Sequence, residues 1–103
     1  MKKTAFQVIE KAIKNSSMTI TNIISNTDRL IDLTVTDGAG LTINVEYGFL
    51  DGDESVDDAD KCLSITDEGN EDNFAIMYPS DCNRSIATCM RMGMDNIIEN
   101  AEA

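Results

Sequence analysis

The stretch "RLIDLTVTDGAGLTINVEYGF", residues 29–49, leaves the chain little choice of local structure. Its left arm alternates Ile31, Leu33 and Val35 with Asp32, Thr34 and Thr36. Its right arm alternates Leu41, Ile43, Val45 and Tyr47 with Thr42, Asn44 and Glu46. Apolar side chains at every second position fall on one side of an extended backbone, whereas a helix would scatter them around its axis. The "DGAG" between the arms is turn chemistry, so the arms fold as an antiparallel hairpin with one buried and one wet face. A lone hairpin is marginal in water; the rest of the chain must widen the sheet and cover its apolar side.

The flanking segments provide both. Met18, Ile20 and Ile24 against Thr19, Thr21 and Ile23 read as a strand before the hairpin, and "CLSIT" and "NFAIMY" as two strands after it, joined by the polar "DEGNED". At the front, "TAFQ" is a capping-box pattern with Thr4 as N-cap and Gln7 reaching back to it. Phe6, Ile9 and Ile13, flanked by Ala5 and Ala12, then mark one face of a helix ending near Asn15, with Lys11 and Lys14 in its last turn. At the back, Pro79 ends a strand and Ser80 or Asp81 caps a closing helix. Cys82, Ile86, Cys89, Met90, Gly93, Ile97 and Ile98 recur at helical spacing over about five or six turns. The expected architecture is α+β: a two-layer sandwich, with an antiparallel sheet of about five strands and the N-terminal and C-terminal helices on one face. Residues 1–103 are read as a single acidic domain.

Charge is where the chain departs from an ordinary small domain. Nineteen acids against eight bases give a net charge of −11. The first 30 residues hold five bases and two acids, whereas residues 31–80 hold thirteen acids and only Lys61. The densest run, "DGDESVDDAD", puts six carboxylates into residues 51–60 with no base among them. Such a field repels nucleic acid and anionic membrane and attracts basic surfaces. Apolar runs are too short for a transmembrane helix, and Gln7, Glu10, Lys11 and Lys14 interrupt what "MKK" would otherwise begin as a signal peptide. Three cysteines, an odd number without small-scaffold spacing, fit reduced thiols and a cytoplasmic protein.

The same residues argue against catalysis. The chain has no histidine, which removes the commonest general base, the Ser-His and Cys-His nucleophile pairs and the commonest zinc ligand. Neither a phosphate-cradling Gly-Lys-Ser/Thr loop nor a dinucleotide fingerprint occurs. An EF-hand reading that starts at Asp51 finds Asp53 in place but Val56 where glycine belongs and Cys62 where the closing glutamate belongs. Cys82 and Cys89 lie about two helical turns apart, too far for a disulfide within one helix. No cofactor and no metal ligand set is expected. Met90, Met92 and Met94 outnumber what one core face needs. They leave a homodimer through the closing helix as a second arrangement beside plain core packing.

What remains is an acidic surface. The candidate contact residues are Asp51, Asp53, Glu54, Asp57, Asp58 and Asp60, followed by Asp67, Glu68, Glu71 and Asp72, with Asp32 and Glu46 on the wet face of the hairpin. Gathered on one side, they would present a dense row of anions of the kind a nucleic acid offers its readers. A wet linker and a weak divalent-cation module rank behind that reading. In size, charge and lack of catalytic motifs the chain resembles small acidic phage inhibitors of host defence, the DNA mimics and anti-CRISPR proteins. The resemblance implies a non-enzymatic, stoichiometric inhibitor. It would occupy the basic nucleic-acid-binding surface of a partner such as a CRISPR effector, in the host cytoplasm, with no direct contact to nucleic acid or membrane. Acidic immunity proteins and secretion chaperones for basic partners share the same profile.

Overall fold

The computed structural model describes residues 4–27, 29–48, 61–79 and 85–102. Its elements run α1 (Ala5–Asn15), β1 (Thr19–Asn26), β2 (Leu30–Thr36), β3 (Thr42–Gly48), β4 (Cys62–Asp67), β5 (Asn70–Met77) and α2 (Ile86–Glu102). The five strands form one antiparallel sheet in chain order, a meander in which every strand pairs with its sequence neighbours. This is the α+β arrangement the alternation predicts.

The hairpin folds as its alternation requires. Leu33 sits opposite Val45 and Val35 opposite Ile43, while Asp32 opposes Glu46 and Thr34 opposes Asn44 on the other face. The turn is held by Asp37, whose Oδ1 accepts the N–H groups of Ala39 and Leu41 at 2.7 and 3.1 Å. Gly38 and Gly40 supply the φ values of 78° and 113° that an L-side chain resists. On the inner side Leu33, Val35, Ile43, Val45, Leu63 and Ile65 are fully buried, packed with Ile9 and Ile13 of α1 and Cys89, Met90, Met94 and Ile97 of α2. α2 lies over β4 and β5, α1 contacts β1, and the helices touch each other. Gly93 lets α2 approach closely, because a Cβ there would meet the tips of Ile65 and Met77 at 2.6 and 2.8 Å.

Both ends of α1 are built by local chemistry. Thr4 Oγ1 accepts from Gln7 N–H and Gln7 Oε1 accepts from Thr4 N–H, the capping box legible in "TAFQ". At the other end Met18 N–H donates to Ile13 O and Ser17 N–H to Lys14 O, a Schellman closure. Ser17 carries the left-handed residue at φ 60°, and Met18 folds back into the core at 4% exposure.

Two expectations need correction. The alternation assigned to the first strand fails, because register shifts between Ile20 and Asn22 and between Ile23 and Ser25 break its period. Ile23 and Ile24 are consequently both about half exposed, at 50% and 55%. β5 begins at Asn70, so the connection from β4 is the two-residue turn Glu68–Gly69 rather than the whole of "DEGNED". α2 runs from Ile86, and Ser85 Oγ accepts from Thr88 N–H at its start; Ser80, Asp81 and Cys82 lie outside the described residues.

Candidate acidic interface

The meander decides which acids meet. Its turns alternate between the two ends of the sheet. The β2–β3 and β4–β5 turns lie at one end, tied by Glu68 N–H donating to Thr42 O at 2.9 Å. Glu68, Glu71 and Asp72 are exposed there. Gly48 and Lys61, between which the 51–60 segment is strung, lie at the opposite end. The six strand positions of β4 separate the two ends by about 17 Å. The candidate acids therefore do not attach to the sheet on one side. Asp51, Asp53, Glu54, Asp57, Asp58 and Asp60 themselves lie outside the described residues.

Asp67 is a correction of another kind. At 7% exposure it faces inward. Its Oδ1 accepts from Gly69 N–H at 2.8 Å and its Oδ2 from Asn73 Nδ2 at 3.4 Å. The parity Leu63, Ile65, Asp67 carried that signal in the sequence. Asn73, itself 4% exposed, also donates to Ile97 O at 3.0 Å and accepts from Asn100 Nδ2 at 3.2 Å. This buried polar cluster pins the C-terminal part of α2 to the β4–β5 hairpin, and so brings Glu99 and Glu102 to the end that holds Glu68, Glu71 and Asp72. Sequence reasoning missed both glutamates, since only the tertiary link places them there. No basic residue occupies the last turn of α2, so its carboxylates stand against the negative end of the helix dipole.

The outer sheet face carries the second acidic feature. Asp32 and Glu46 are directly opposed across β2 and β3, both half-buried, and Asn44 Nδ2 donates to Asp32 Oδ1 at 2.7 Å. Burial, and after it the like charge of Asp32, hold the Glu46 carboxyl above the usual glutamate range. Two strands over from Glu46, on β5, Phe74 and Ile76 share this face and are each 51% exposed.

Elsewhere the chemistry is quiet. Burial pushes the Cys62 thiol up, a hydrogen bond with Tyr78 works against that, and the charge of Glu46 adds to the rise, so the thiolate is disfavoured. Cys89 is buried in the core, as are Met90 and Met94, and Met92 is 43% exposed. Among the described residues no group of three or more His, Cys, Asp or Glu could hold a metal ion. A groove of about 540 Å³ between the helices is lined by Val8, Ala12 and Ala87 with Lys11, Arg91 and Asp95 at its rim. Among the described residues no helix is long and apolar enough to cross a membrane. No family model, curated protein or solved structure matches the chain.

Proposed function

We propose that this chain is a non-enzymatic acidic binding protein, a stoichiometric inhibitor that occupies the basic, nucleic-acid-binding surface of a partner. The observation that carries the reading is where the acids stand. Glu99 and Glu102 oppose a helix dipole, and Asp32 and Glu46 oppose each other across two strands, raising the carboxyl of Glu46. Local stability disfavours each of these placements. Surface gatekeeping asks for a few charges on edges and loops; a net of −11 with acids set against their own local stability fits an electrostatic contact surface better. The role of these acids is on-rate and register more than raw affinity. A CRISPR effector is one such partner, on the resemblance to small phage inhibitors alone.

A pull-down from nuclease-treated bacterial lysate tests the reading. It compares the wild type with one variant carrying Gln or Asn at positions 68, 71, 72, 99 and 102 and another carrying them at the six acids of 51–60. A nucleic-acid-handling complex retained by the wild type, released by salt and lost from either variant is the expected result. Identical captures by all three proteins would reduce the acids to solvation.

A further inference from the structure

We propose that β5 is a docking edge that accepts an extended, basic segment of the partner as a sixth strand. The inference rests on the acidic-interface reading and names the element that makes the contact. The sheet has two edges, and they differ. β1 is interrupted in mid-strand by two register shifts, the twist that blunts an edge against further pairing. β5 carries its irregularity at the turn end, where Glu71, Asp72 and Asn73 have no β4 partner between Asn70 and Phe74; from Phe74 to Met77 its register with β4 is continuous. Among the described residues β5 pairs with β4 alone.

Its side chains suit one kind of guest. Phe74 and Ile76 stand on the outer face, two positions apart, and the unpaired stretch before them carries Asp72 and Glu71, with Glu68 beyond it. All three acids are exposed. A strand added antiparallel along residues 74–77, as every pair in this sheet runs, would place apolar side chains beside Ile76 and Phe74 and bring the lysine or arginine that follows up to the exposed Asp72, Glu71 and Glu68. Read from its N-terminus, the guest pattern is apolar-x-apolar-x-basic. Backbone hydrogen bonds give such an addition its affinity, and the alternate side chains give its specificity. The edge of β1 offers no comparable charge, since Asn22, Ser25 and Asn26 are neutral and Arg29 follows. A second copy of the chain would bring the acids of its own β5 to the same edge, so charge complementarity selects a basic guest.

The test uses the whole chain and a blocked peptide, Ile-Thr-Val-Thr-Lys-Thr-Lys, followed by amide chemical shifts. Two controls accompany it. One is the same peptide N-methylated at alternate residues, which keeps charge and side chains but cannot form the ladder. The other is the Phe74→Thr/Ile76→Thr variant, whose exposed positions leave the core intact; its unchanged melting temperature is checked first. The expected result is shifts concentrated at residues 71–77 with the plain peptide. Binding should weaken by about tenfold or more in each control, the loss of two or three net hydrogen bonds or of one apolar cluster. Equal binding by both peptides would overturn the edge and leave charge alone as the contact. So would absent binding, or a concentration-dependent dimer by light scattering that the Thr/Thr variant abolishes. The pull-down separates the two failures. A partner kept by the Thr/Thr variant and lost by the charge variants sinks the edge only, whereas a partner kept by all of them sinks the acidic reading as well.

Discussion

At the scale of single residues, the side chains that matter most here are polar ones on the wrong side of a simple pattern. Glu46 is the clearest. Its carboxyl is held high, so on acidification the native state takes up this proton before the unfolded chain does, and stability falls as pH rises through that window. Ionised, Glu46 is therefore a cost to the fold at neutral pH. Glu46→Gln should melt higher than wild type at about pH 7, and the gap should close as the pH falls into the ordinary carboxylate range, near pH 4. Paired thermal melts check this, and a gap independent of pH would refute it. Asn73 predicts the opposite sign. Asn73→Ala leaves Asp67, Ile97 O and Asn100 short of a buried partner, and should cost about 1–3 kcal/mol in denaturant unfolding. Of these two, only Glu46 was legible in the sequence, as the outward neighbour of Val45 and Tyr47. Asn73 shares its phase with Ala75 and Met77, which marks it as inward, but besides Asp67 the atoms it satisfies lie in α2, 24 or more residues away.

At the scale of elements, reading was reliable where one local rule decided the outcome. The capping box of α1 and the β2–β3 alternation are rules of that kind, and both elements fall where they predict. β1 escaped because an extra residue at each of its register shifts resets the period, and no residue type in "TITNIISN" marks where that happens. At the start of α2 Ser85 accepts from Thr88 N–H, while Ser80 and Asp81, the caps expected from the sequence, lie outside the described residues. The closure of α1 offers a direct test. Ser17 holds a left-handed φ that glycine adopts freely, so Ser17→Gly should stabilise the protein by about 0.5–1 kcal/mol after glycine's own entropy cost is set against it. Equilibrium unfolding reads the change; a loss of stability would mean that the serine side chain holds the turn.

At the scale of the whole molecule, charge and topology act together. The composition states how negative the chain is, but only the meander tells which acids share an end, and it sets Glu68, Glu71, Asp72, Glu99 and Glu102 apart from the points where the 51–60 segment attaches. If association with a captured partner is steered by this field, its on-rate should drop about tenfold or more between low and near-physiological ionic strength while the off-rate moves far less. Stopped-flow mixing measures both, and an on-rate indifferent to salt would count against an electrostatic contact. The contact between the two helices has a different consequence, one for how the chain is made. α1 and α2 complete the cover of a sheet whose five strands all lie between them, and α2 comes after every strand. Until α2 docks, the inner face of β4 and β5 has no helix over it. During that interval Leu63 and Ile65 face water without their cover, while α1 and the local hairpins can already form. A chain held in that state is recognisable to chaperones and proteases by its open apolar layer, so the docking of α2 is the step that hides it.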